Sequence, residues 1–354
     1  MAAREIRFAT NRKPFGRGFG PDCEDPRTTL RLGRARVRGA DDPVLDASLA
    51  GGSVEVDLPG AGAADRRAWL RDWLAGARDE GRVPLLTVHG FCYSFAEAVA
   101  RAGQVAGFYA RGPFGVELAP LAFCWPSAGA LDNDTYPLDR ASCERSDEAL
   151  AALIRDIGAA GEAAGARPVL LAHSMGVFML RLGVAALARG GLPAGRPFAQ
   201  VVAVAGDDDR TVLDPGGPLR PVADIADWVT VGVFPADSVI KLNHAVLGRP
   251  ERLGAHGPAR PDELPANVAV VDYAYAVDAL KRLPAQAWED VSWNAVGHQY
   301  YRNDPRVRDD LAQVFQGAAP DQVRGRRRGE GMIDPAVAIN PEPGRLYPVG
   351  ERVA

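Results

Sequence analysis

The sequence predicts an α/β fold, a mostly parallel central sheet with helices on both faces and extra strands at an N-terminal edge. Two observations carry that reading. From Val83 onward, short apolar runs rich in β-branched residues alternate with longer segments of helical period. The 354 residues, 47% apolar and 24% charged, also match an ordinary globular chain able to bury one large core.

Each element has its own signal. Glu5 to Thr10, Ala35 to Arg38 and Ser53 to Leu58 read as short extended segments parted by Gly and Pro, expected to add strands to the same sheet. Trp69, Leu70, Trp73 and Leu74 give the segment from Ala64 to Ala77 one apolar helical face. The strands expected after it are Pro84 to Val88, Leu121 to Cys124, Pro168 to Ala172, Ala199 to Ala205, Val229 to Phe234 and Val268 to Val271. Ser94 and Glu97 have the S-x-x-E spacing of a capping box, which starts a helix running to about Ala110. Leu150, Leu153, Ile154 and Ile157 mark a further helix, and another runs from Ser174 through Phe178, Leu180, Leu182 and Leu187 to Gly190-Gly191.

These elements read as a single domain over residues 1–316. Residues 238–265, rich in Gly, Pro and Arg, read as a lid-like loop insertion, because loops of that length in a compact domain usually have a function or lack order. Residues 317–354 lack an apolar period and read as an irregular, solvated tail that includes the basic run from Arg324 to Arg328.

Composition removes several function classes. A net charge of −4, from 41 basic and 45 acidic residues, gives no overall field to recruit nucleic acid. No stretch approaches the roughly 18 apolar residues of a membrane span, and the first ten residues lack a secretory apolar core. Cys23, Cys92, Cys124 and Cys143 are widely spaced, so a reducing, cytoplasmic setting is expected. There is no HExxH and no P-loop, Gly16, Gly18 and Gly20 do not open a helix after a strand, and five scattered histidines suggest no metal site; no cofactor is expected.

The chemistry concentrates in two strings. Ala172-His-Ser-Met-Gly176 follows one expected strand and precedes a helix, the context in which a strained turn lifts a serine hydroxyl above a sheet edge. Alanine replaces the first glycine of the usual G-x-S-x-G. Val88-His-Gly-Phe91 ends an earlier strand and opens a loop, where the amide of Phe91 can join that of Met175 in stabilising an oxyanion. A Ser174 nucleophile needs a base late in the chain. Among the histidines after it, His244 and His256 fall in the Gly/Pro/Arg-rich loop, whereas His298 follows the last strand. The orienting acid is Asp237 or Asp207, both at strand ends; Asp237 has the commoner position, two strands after the nucleophile. His89 and His173 read as packing or loop-orienting residues beside the site. Trp125 reads equally as a pocket wall or a core residue.

Together, "EIRFATNRK" from Glu5, "VHGFCYSF" from Val88, "CWPSAG" from Cys124, "AHSMG" from Ala172, "RLGAHGP" from Arg252 and "VGHQYY" from Val296 resemble bacterial alpha/beta hydrolases of unknown function (domain of unknown function 900), often named esterase/lipase superfamily enzymes. The resemblance covers about residues 5 to 315 and implies the alpha/beta-hydrolase fold with a triad on Ser174, Asp237 and His298. The expected activity is hydrolysis of a small-molecule carboxylic ester through an acyl-enzyme. Acyl transfer by the same residues, or a non-catalytic binding member of the fold, are the other readings.

Overall fold

The computed structural model describes residues 4–24, 29–38, 48–60, 62–130, 134–241, 250–274 and 297–327. Eleven strands are found among them: β1 (Arg4–Thr10), β2 (Arg12–Phe15), β3 (Gly18–Cys23), β4 (Arg31–Arg38), β5 (Ser48–Leu58), β6 (Val83–Val88), β7 (Leu118–Cys124), β8 (Val169–His173), β9 (Phe198–Val204), β10 (Ala226–Val233) and β11 (Val268–Asp272). The longer helices are α1 (Ala63–Asp79), α2 (Phe95–Tyr109), α3 (Thr135–Glu144), α4 (Asp147–Ala164), α5 (Met175–Arg189) and α6 (Pro305–Phe315).

Nine strands form one sheet in the order β11-β10-β9-β8-β6-β7-β1-β4-β5. Every pairing from β11 to β1 is parallel, and β4 and β5 add an antiparallel edge. The N-terminal segments thus join the sheet as expected, but β1 lies inside it, paired in parallel with β7. A separate hairpin, β2–β3, takes in Gly16, Gly18 and Gly20.

Strands buried on both faces read as continuous apolar runs, and β7 and β8 are buried along their whole length. One face is covered by α1, α4 and α5, whose Leu70, Trp73, Leu150, Ile154 and Phe178 share a core. On the other face α2 and α6 bring Val105, Phe108, Leu311 and Phe315 into a second core. The capping box of α2 is made: Ser94 Oγ accepts from the Glu97 amide at 3.3 Å, and Glu97 Oε2 accepts from the Ser94 amide at 2.8 Å.

Two expectations change in the structure. In the lid-like insertion, Leu253–His256 forms a helical turn docked on the sheet edge: the Leu253 amide donates to Asp208 O, and that of Phe234 to Gly254 O, both at 2.9 Å. That half of the insertion is scaffold, because main-chain bonds tie it to the ends of β9 and β10; residues 242–249, with His244, lie outside the described residues. The start of the tail is anchored at single points: Pro320 and Val323 are buried, while Asp321, Gln322, Arg324 and Gly325 are exposed. The Arg326 side chain is buried, and its Nε and Nη2 each donate to the Asp310 carboxylate at 2.7 Å. A basic residue without apolar neighbours in sequence is drawn in by a buried carboxylate; residues 328–354 lie outside the described residues.

Strand order places the two motifs side by side. β6 has β8 on one side and β7 on the other, and Val88 at the end of β6 pairs with Ala172 near the end of β8. The chain reverses its direction of sheet growth there, and ligands of open α/β sheets bind beyond the carboxyl ends at that place.

Candidate active site

Ser174 sits between β8 and α5 at φ 57° and ψ −124°, a left-handed conformation that costs a non-glycine residue on the order of 1–3 kcal/mol. The strain persists because the turn is tied on both sides. The Ser174 amide donates to Val204 O and the Asp207 amide to Ser174 O, both at 3.1 Å. Two residues on, a Cβ at Gly176 would stand 2.3 Å from Val88 O, so only glycine lets α5 start this close to β6. Ala172, in place of the first motif glycine, is wholly buried and keeps its strand pairing with Val88.

The base candidate arrives beside this turn from 125 residues away: His173 Nε2 donates to the His298 carbonyl at 3.0 Å, and the two rings lie 4.7 Å apart. His298 Nδ1 lies 2.8 Å from Asp237 Oδ2, while Asp237 Oδ1 accepts from the Val239 and Ile240 amides at 3.1 Å each. A carboxylate accepts there, so the proton belongs on Nδ1 and Nε2 keeps its lone pair. Tyr300 braces the same segment; its hydroxyl accepts from the Ala205 amide at 2.8 Å and donates to Gly232 O at 3.1 Å.

Asp207, the other acid considered, is engaged elsewhere. Tyr136 Oη donates to its Oδ2 at 2.5 Å, and Arg252 Nε lies 3.3 Å from its Oδ1. Asp237 is therefore the carboxylate that meets His298. His89 and His173 are buried and neutral: burial, with Arg12 nearby, pushes the His89 pKa down to about 3, and burial beside His298 pushes that of His173 well below the usual range. Trp125 is wholly buried, stacks on His89 at 4.8 Å and donates to His89 O at 2.8 Å, so it supports the loop from behind rather than facing a pocket.

The oxyanion candidates lie on the loop after β6 and at the start of α5. Met175 is the first residue of α5, and its amide, like that of Phe91, has no acceptor among the described residues. Two buried charges bracket this loop, and neither carried a signal in the sequence. Asp139 accepts from Ala128 N at 2.8 Å, from Cys92 N at 3.4 Å and from Ser127 Oγ. Arg12, its pKa pulled down to about 10 by burial, donates to Tyr93 O at 2.8 Å, Ser127 O at 3.1 Å and Gly20 O at 3.2 Å. Both Arg12 and Ser127 fall inside strings that carried the family resemblance, though without an assigned role. Among the described residues no group of three or more His, Cys, Asp or Glu could hold a metal, and no helix is long and apolar enough to cross a membrane.

A nine-stranded, mostly parallel sheet covered on both faces, with a serine on a strained strand-to-helix turn, defines the alpha/beta-hydrolase class. The chain belongs to the family described as alpha/beta hydrolase of unknown function, whose model matches residues 63–314. No curated protein matches the sequence.

Proposed function

We propose that the protein cleaves carboxylic esters through an acyl-enzyme formed on Ser174. In this scheme His298 Nε2 removes the Ser174 proton as Oγ attacks the ester carbonyl, and the amides of Phe91 and Met175 hold the resulting oxyanion. Collapse expels the alcohol, which takes its proton from His298. Water, deprotonated by the same imidazole, then frees the acid and restores Ser174. Asp237 keeps the His298 ring in the required tautomer and offsets its charge while it holds the proton.

The observation that carries this reading is the junction of turn and base: the residue preceding the strained serine is hydrogen-bonded to the main chain of a histidine whose ring meets a buried carboxylate. Screening p-nitrophenyl esters of graded chain length on the purified chain tests it, with Ser174→Ala as control. Turnover in the parent and a loss on the order of 10⁴-fold or more in the variant are expected. A fluorophosphonate probe should label Ser174 in the parent. Failure of both would leave the fold as a binding scaffold, and ester products formed with added alcohols would identify acyl transfer instead.

A further inference from the structure

The loop between β6 and α2 packs on the nucleophile turn with no spare space: a Cβ at Gly90 would lie 3.0 Å from Ser174 Cβ and 3.2 Å from His173 O. Any displacement of this loop therefore moves the Phe91 amide relative to Ser174. Yet the next residue, Cys92, is itself held at φ 66°, a conformation that a non-glycine side chain resists. Something outside the loop has to hold it.

Two charges meet that need from opposite sides. Asp139, projecting from α3, receives the amide of Cys92 directly and that of Tyr93 through Ser127, whose Oγ accepts from Tyr93 N at 3.0 Å while donating to the carboxylate. Arg12, on β2, takes the carbonyls of the same two residues, Tyr93 and Ser127. The carboxylate thus gathers amides and the guanidinium gathers carbonyls across the loops after β6 and β7. Buried charges are costly, and here both are spent on the main chain of a strained loop. Tyr136, one turn before Asp139, adds an aromatic contact to Phe91 at 5.3 Å.

We infer that Asp139 and Arg12 are positioning residues for the oxyanion loop: together they hold residues 91–93 in the strained path that fixes where the Phe91 amide stands relative to Ser174. The inference rests on the hydrolase reading and names residues that reading does not contain. Their effect is exerted through the amide, so it scales with how much a substrate's transition state depends on hydrogen bonds to its oxyanion.

An aryl ester and its thionoester, in which sulfur replaces the carbonyl oxygen, separate this role from a general loss of structure, because sulfur is the poorer acceptor. In Asp139→Asn, kcat on the ester should fall by about 10- to 100-fold, below the loss of a whole donor, with KM held within about threefold. The thionoester should lose less, so the ratio of the two rates should drop about tenfold. Equal losses on both substrates, or no loss, would overturn the inference. If Asp139→Asn does not fold, Ser127→Ala asks the same question more gently, removing the link to Tyr93, and the ratio should still fall several-fold. A parent chain that neither turns over esters nor takes the fluorophosphonate label ends the hydrolase reading and this inference with it; an active, labelled parent with an unchanged ratio in the variants ends this inference alone.

Discussion

On the side of Ser174 reached by the loop after β6, buried charges grip main chain; on the side reached by His298, hydroxyl groups, rings and the Asp237 carboxylate hold the base. The first flank contains Asp139 and Arg12 around a left-handed Cys92. On the second, His173 bonds the His298 carbonyl, Tyr300 bridges Ala205 and Gly232, and Tyr109 Oη donates to Tyr301 O at 2.5 Å. The difference follows from what each flank has to present. An amide has no rotamer and can be aimed only by bending the chain, which needs strong acceptors and donors fixed outside the loop. A base that gains and loses a proton in each cycle needs a fixed acceptor at Nδ1, and Asp237 supplies it.

The largest expected effect breaks the second flank at the carboxylate that meets the base. Asp237→Asn should lower kcat by about 10⁴-fold, since an amide can donate to His298 Nδ1 and favour the wrong tautomer. Asp207→Asn should leave kcat nearly intact and instead cost about 1–3 kcal/mol of stability, because the buried Tyr136 and Arg252 lose an ionic partner. Steady-state kinetics with urea unfolding on both variants decides it. The reverse pattern would make Asp207 the acid.

The contrast also marks how far the sequence was legible. Strands β6 to β11 and the turn at Ser174 announce themselves, because β-branched runs and a serine between strand and helix are local patterns. Asp237 could be preferred over Asp207 from strand position alone, and the structure places its carboxylate 2.8 Å from His298. The clamp on the oxyanion loop is different in kind. Arg12 reaches Ser127 across 115 positions in the sequence, and Asp139 lies in α3, a helix the apolar pattern did not signal. A buried charge that serves the main chain of a distant loop has no neighbours in sequence to give it away. Burial of Arg326 against Asp310, in a stretch read as a solvated tail, was illegible for the same reason.

A middle-sized effect sharpens the view of hydroxyls and rings as the scaffold of the second flank. Tyr300→Phe keeps the ring and deletes the hydroxyl shared by the Ala205 amide and the Gly232 carbonyl, leaving two buried main-chain groups unpaired. A loss of about 1–3 kcal/mol in urea unfolding is expected, with kcat lowered less than about tenfold. A kcat loss approaching that of Asp237→Asn, without a stability change, would mean that the phenol acts on the base itself.

The smallest effect concerns a buried carboxylate at the start of the helix that follows the base segment. Asp304 caps α6, its Oδ1 accepting from the Arg306 and Val307 amides at 2.7 and 3.3 Å, and its own amide donates to Tyr300 O. Burial outweighs those two bonds and pushes its pKa up to about 6 from the ordinary 3.8. The folded chain therefore binds this proton more tightly than the unfolded chain does. The stability it contributes is complete below the unfolded value and is lost as the pH rises through the folded one, an effect on the order of 3 kcal/mol. Asparagine caps a helix as well as aspartate and cannot ionise. Urea unfolding at steps from pH 4 to pH 7 should show Asp304→Asn gaining on the parent as the pH rises, and curves that stay parallel would mean that the two amides and nearby Arg306 already offset the cost of burying the carboxylate.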